Sequence, residues 1–256
     1  MRISGTGITL AQDVKVLKDF RPETTLALTW SKCSDGSWVA ADRGSTSDTY
    51  EARINVYGHQ SDMNNLVDAL QQNRVAQSHE LTLSWFHDDE HIFGEDVDHS
   101  GTISATVLDF GTITQGSWGG YGLSMKLRAL SPSLVGTATL PTLQYMDFGY
   151  SADSSVSVNK QDYWAGSYTY ADSLADAGLF VGTFKLASAD MRNLRAYLRT
   201  VRGASFSVAA IAGVKYPWGP RRGAWPITCR CTEWKDSGMW GEHFWIVTLT
   251  LTEVRS

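Results

Sequence analysis

The sequence predicts a mainly β protein: two tandem antiparallel β-sandwich or barrel domains, each with one short helix, over residues 1–140 and 141–256. Three observations carry this. The chain repeats itself at half its length. Each half holds one segment of helical spacing. Around each such segment, apolar residues alternate with polar ones at the period of half-buried strands. The 256 residues suffice for two small domains with real cores. With 43% apolar and 19% charged residues, the chain has the composition of a folded protein.

The repeat is sharpest where Asp62-Met63-Asn64-Asn65-Leu66 matches Asp190-Met191-Arg192-Asn193-Leu194, 128 residues later. At the same offset Leu70 falls on Leu198 and Arg74 on Arg202. Before these segments, Ala52, Ile54 and Val56 correspond to Phe180, Gly182 and Phe184. After them, Leu81 and Leu83 correspond to Ala209 and Ile211. The offset then shortens to 122, where Trp118-Gly119 falls on Trp240-Gly241, Met125 on Val247 and Leu127 on Leu249.

Met63, Leu66, Val67 and Leu70 share one face of a helix expected over 62–73. Met191, Leu194, Leu198 and Val201 do so in a helix expected over 190–202. Asp62 and Asp190 stand at the expected N-caps, and Gly203 at a C-terminal stop. Strands are expected at Leu26–Trp30, Leu81–Trp85, Ile103–Val107, Leu123–Leu127 and Val247–Leu251. Turns are expected at Asp35-Gly36, Gly116 to Gly122, and Asp236-Ser237-Gly238.

Composition and motifs exclude several functions. A net charge of −5 disfavours a general nucleic-acid binder. Met1-Arg2-Ile3-Ser4-Gly5 lacks the apolar core of a signal peptide, and the apolar run Val208–Val214 is too short for a bilayer, so no membrane partner is expected. Cys229 and Cys231 sit two apart, about 7 Å on one strand face, too far for an unstrained disulfide. With Cys33 they read as reduced thiols. No metal-ligand set, nucleophile elbow or phosphate loop is present, so no enzyme activity, catalytic residue, metal or cofactor is expected.

His87-Asp88-Asp89-Glu90-His91 has two His four apart, but no Glu directly after the first, so it does not match the zinc-protease motif. Glu95, Asp96, Asp98 and His99 continue it, without the glycine of a calcium loop. The segment reads as a solvated or interface loop, with a cation site and a catalytic role as the other readings. In copy two the corresponding loop is basic and aromatic: Lys215, Tyr216, Pro217, Trp218, Arg221, Arg222 and Trp225. Such a loop stacks on bases or binds phosphates, or its arginines answer carboxylates elsewhere. Opposite charges on equivalent loops make Asp88, Asp89, Glu90, Glu95, Asp96, Asp98, Lys215, Arg221 and Arg222 the candidate subunit-interface residues.

The chain has 10 Trp. Trp30, Trp85, Trp118, Trp240 and Trp245 lie in or beside strands, where aromatics fill cores and subunit contacts. Surface platforms that stack on sugars are the other reading. A carbohydrate-binding module or glycoside hydrolase is therefore the alternative function.

Taken together, tandem small β domains with one helix each, long polar hairpins and no catalytic motif resemble the tail-tube-fold family of tailed bacteriophages. That family includes tail-tube, distal tail and baseplate hub proteins. The resemblance implies a structural virion protein, made in the host cytoplasm, that forms a ring around the DNA channel of the tube or the tube-to-tip junction. For a duplicated member it implies a three-fold ring with pseudo-six-fold symmetry. Its partners would be copies of itself and the neighbouring tail-tube and tail-tip proteins, with DNA as transient cargo.

Overall fold

Strands form where apolar residues fall at every second position, and the two helices where they recur at three and four. A computed structural model describes all residues except 18, 34–36, 78, 85–90, 117–118, 144–157, 164–165, 172–177, 213, 215–216, 219–224, 241–243 and 255–256. The chain is mainly β, with antiparallel sheets and, among the described residues, two α-helices, and it divides into two units. The first comprises Met1–Thr25 and Thr49–Val135; the second comprises Leu26–Asp48 and Gly136–Ser256.

The first unit begins with β1 (Arg2–Gly5), β2 (Lys15–Val16) and β3 (Arg21–Thr25). The chain then forms a two-stranded hairpin, β4 (Leu28–Lys32) and β5 (Trp38–Asp42), which groups with the second unit. Back in the first unit come β6 (Thr49–Gly58), α1 (Gln60–Val75), β7 (Glu80–Ser84), β8 (Thr102–Phe110), β9 (Thr114–Gln115) and β10 (Tyr121–Ala129). In its sheet the order is β1-β7-β8-β10-β6-β2, with β3 also on β6. Ala52, Ile54, Val56, Leu81, Leu83, Leu123, Met125 and Leu127 form the buried face, closed by Met63, Leu66 and Leu70 of α1.

The second unit continues with a second hairpin, β11 (Val158–Tyr163) and β12 (Gly166–Ala171). Then follow β13 (Leu179–Ala187), α2 (Ser188–Val201), β14 (Phe206–Val208), β15 (Ile227–Trp240) and β16 (Phe244–Glu253). Its four-stranded sheet runs β13-β16-β15-β14. Phe180, Phe184, Trp245, Val247, Leu249 and Leu251 are buried beneath Met191, Leu194 and Leu198 of α2.

The two sheets share one order: β6-β10-β8-β7 in the first, β13-β16-β15-β14 in the second. In each, the helix follows the same strand and packs over the same pair, β6 and β10 or β13 and β16. Strand register fixes the equivalences. Val56 opposite Leu123 corresponds to Phe184 opposite Val247, so β10 and β16 match at an offset of 124. The ladder skips Leu108 in β8 and Thr232 in β15, again 124 apart. The 122-residue offset of the two Trp-Gly pairs is therefore not the structural register. Likewise Phe206 and Val208 correspond to Leu81 and Leu83, because they face Cys229 and Ile227 as Leu81 and Leu83 face Ala105 and Ile103. Ala209 and Ile211 lie beyond β14. Helix α2 has 14 residues and α1 has 16, which accounts for two of the three residues by which copy two re-enters its sheet sooner.

Other details differ from expectation. The N-caps are His59 and Ala187, without side-chain bonds. Asp62 and Asp190 lie inside the first turn, where a carboxylate still opposes the positive end of the helix. Asp62 accepts the Ala11 amide at 2.8 Å. Asp236-Ser237-Gly238 is not a turn but lies within β15, where the register shifts between Asp236 and Met239. A bulge absorbs the residues that turn chemistry favours. Gly116 to Gly122 does join β9 to β10, closed by Gly116 N donating to Gly120 O at 2.8 Å. The Asp35-Gly36 turn lies outside the described residues.

Candidate functional site

Among the candidate interface residues, Asp88, Asp89, Glu90, Lys215, Arg221 and Arg222 lie outside the described residues. The described part of the acidic segment turns inward. Glu95 and Asp96 are 0% and 1% exposed, beside buried Ile92, Phe93 and Val97. Backbone bonds tie it to residues 133–135: Asp98 N donates to Ser133 O, and Val135 N to Asp96 O, both at 2.8 Å. His91 Nε2 lies 3.5 Å from Glu95. Only Asp98 of the described acidic residues reaches the surface, and its bonds to Ser100 hold its carboxyl below the usual range. Among the described residues no group of His, Cys, Asp and Glu has the arrangement of a metal site.

In the basic loop of copy two, two of the described aromatic residues make internal contacts. Trp218 is buried at 3% exposure, and the Trp225 indole N–H donates to Val214 O. The Trp218 ring is thereby withdrawn as a stacking platform, while Trp225 stays half-buried. Of the strand tryptophans, Trp245 is fully buried and Trp30 half-buried. Trp85 and Trp118 lie outside the described residues. Cys229 is buried, Cys231 half-buried and Cys33 exposed, all as free thiols. Burial pushes the Cys229 thiol up to about 12 and also raises that of Cys231.

The most constructed polar contact in the second unit joins the β4–β5 hairpin to the end of α2. Arg202 caps this helix in the left-handed conformation, φ 44°, which aims its side chain back at the hairpin. Its Nε and Nη2 each donate to Asp42 at 2.6 Å, and Nη1 donates to Asp48 at 2.6 Å. Two carboxylates thus share one guanidinium, whose planar fork suits that arrangement. Arg202 holds the Asp42 carboxyl down to about 2, helped by the Gly44 amide, and the pair raises the pKa of Arg202 in turn. Asp48 also accepts the Ala27 amide at 2.7 Å, which fixes the base of the hairpin.

Apolar packing completes this seat. Leu28, Trp30, Trp38 and Ala40 alternate with exposed neighbours, so one face of the hairpin turns inward. Gly203, φ +76°, lies directly under that face. A Cβ there would stand 2.6 Å from Ala40 Cβ and 3.1 Å from the Trp30 ring. Arg230 Nη1 donates to Trp38 O at 2.7 Å. No local motif marks this seat, since its partners are 160 residues apart. One signal was available: Arg202 repeats Arg74, and Asp48 is itself repeated as Asp176, both at the 128-residue offset.

No family model matches the chain, and no curated protein matches it.

Proposed function

We propose that this chain is a structural protein of a bacteriophage tail, a tandem-duplicated member of the tail-tube-fold family. In this reading it forms a ring around the DNA channel, in the tube or where the tube meets the tip. The single observation that supports it most is the repeated sheet order, with the helix over the same two strands in both units. A duplicated unit lets three chains present six like units, so a three-fold ring meets a six-fold neighbour without a gap in pattern. The acidic balance of the chain suits a passage through which DNA slides without sticking. The protein acts here as a scaffold, not an enzyme, and its place is the virion.

The test is electron microscopy of the purified protein together with the mass of its intact assembly. Closed rings of three chains support the proposal. A monomer that binds glycans on an array overturns it in favour of a carbohydrate-binding module.

A further inference from the structure

The strand that follows the helix has neighbours on both sides in copy one and on one side in copy two. β7 lies between β1 and β8, whereas β14 pairs with β15 and ends its sheet. Successive residues of an antiparallel strand bond to its two sides in alternation. Thr228 O accepts the Val254 amide at 3.1 Å, so Thr228 faces β16, and Ile227 and Cys229 face β14. Their partners Val208 and Phe206 therefore bond to β15, which leaves the N–H and C=O of Ser207 pointing away from the sheet. In copy one, Ser104 O accepts the Leu130 amide at 2.8 Å, so Ser104 faces β10. Ile103 and Ala105 then face β7, Leu83 and Leu81 face β8, and Thr82 faces β1. Ser207 is the counterpart of Thr82, which β1 covers.

The uncovered edge is open to solvent. Ser207 is exposed, as are Ser205 and Ala209 on either side at the same parity. Among the described residues nothing bonds to the Ser207 backbone from that side. Phe206 and Val208 meanwhile keep their side chains buried on the core face. The residues 128 beyond β1, Leu130–Ser133, are engaged elsewhere: Leu130 N donates to Ser104 O and Asp98 N to Ser133 O, within the first unit. An edge with unpaired backbone groups is a template for a further strand.

We infer that the open edge of β14 is a docking site for an extended segment of a partner protein, which adds antiparallel to β14 and bonds to the Ser207 N–H and C=O. The strand in the equivalent seat of copy one gives the chemistry of this segment. Opposite Leu83 stands Ile3, 2% exposed, and opposite Leu81 stands Gly5. A Cβ on Gly5 would lie 3.1 Å from Glu80 O and 3.3 Å from the Leu81 side chain. The segment thus carries an apolar residue opposite Val208 and, two positions on, a small one opposite Phe206. β14 of a second copy does not fit that pattern, because pairing about Ser207 sets branched Val208 opposite Phe206. Main-chain bonds hold the segment, and the two inward side chains select it.

The probe is a synthetic peptide of residues 1–6, acetylated and amidated, added to the full-length chain. Residue-resolved amide exchange reads its binding. The Ser207 amide is expected to exchange at least about tenfold more slowly with saturating peptide, while Phe206 and Val208, already bonded to β15, change little. An unchanged Ser207 rate overturns the inference. A peptide carrying Ile3→Asp is expected to protect nothing, and equal protection by it also overturns the inference. A disulfide trap gives a second reading. In chain carrying Cys33→Ser and Ser207→Cys, a peptide with Ser4→Cys is expected to form the mixed disulfide about tenfold faster than one with Ser4→Cys and Ile3→Asp. Equal rates overturn the proposed seat. Disulfide dimers of the chain formed in preference to the adduct make the occupant a second copy, and overturn it as well.

Discussion

The two units answer one packing problem with different side chains. In the first, Ala52, Ile54 and Val56 line the strand beneath α1. In the second the same positions read Phe180, Gly182 and Phe184. Two large rings around a glycine replace three residues of graded size. The helices differ as well. Arg195 of α2 forms a buried ion pair with Asp236, where α1 has Val67. Topology is thus held while volume and polarity are redistributed. Layer order is set by which positions are apolar, whereas residue size only has to sum correctly.

The largest expected effect probes the difference in polarity. Arg195→Met leaves Asp236 buried without its guanidinium, and should destabilise the protein by about 3–5 kcal/mol. Arg195→Met with Asp236→Leu should recover most of that, because copy one manages with an apolar residue at this helix position. Urea denaturation of both variants checks the pair. Leu66→Ala and Leu194→Ala, both at fully buried sites, should each cost about 2–5 kcal/mol. A much smaller loss in one would show that the equivalence of the two helices is only topological.

The volume trade gives the next test. A Cβ on Gly182 would lie 2.7 Å from the Phe180 ring and 2.8 Å from that of Phe184. Gly182→Ile should therefore destabilise by about 1–3 kcal/mol. Adding Phe180→Ala and Phe184→Val, which writes the copy-one pattern into copy two, should return part of the loss in a thermal melt.

Both helices and the strands around Ile54, Leu83, Ala105, Met125, Phe184 and Leu249 are legible because their cores follow periods of 3.6 and of two, and Met63, Leu66, Met191 and Leu194 all lie where spacing puts them; the short edge strands and the hairpin β11–β12 carry no such pattern. The finer alignment is not legible. Trp118-Gly119 and Trp240-Gly241 match as letters, but a bulge at Leu108 and Thr232 and the ladder beside them set the true register. Turn residues at Asp236 to Gly238 were absorbed by an irregular strand. Acidity points to solvent for Glu95 and Asp96, yet the apolar residues on either side, Ile92, Phe93 and Val97, carry that segment inside. Arg202 with Asp42 and Asp48 has no local signature, because long-range ion pairs leave none in sequence.

The smallest effects belong to the hairpin seat and the sheet surface. Arg202→Ala should cost about 1–2 kcal/mol, since Asp48 is buried but Asp42 is open to solvent. Amide exchange should rise across residues 28–42 and not across β6. The carboxyl of Asp42 lies below its unfolded value, so its contribution is complete above roughly pH 4. It is lost as the pH falls through about 2. Tryptophan emission from the hairpin should follow that decline, and should not in Asp42→Asn. On the sheet surface of the first unit, burial works against ionised Glu51, but Lys126 and Arg128 override it and hold its pKa below normal. Glu51→Gln should cost no more than about 1 kcal/mol.

The distance along the chain between the first hairpin and its seat has a consequence for synthesis. Asp42 and Arg202 are separated by 160 residues. At about 5–20 residues per second, the ribosome delivers α2 roughly 8–32 s after the hairpin has left the exit tunnel. Over that interval Trp30 and Trp38 have no helix end to cover them, while neighbouring ribosomes on the same message are releasing theirs. Synthesis rate and ribosome spacing therefore bear on whether a nascent chain claims its own α2 or that of the chain beside it.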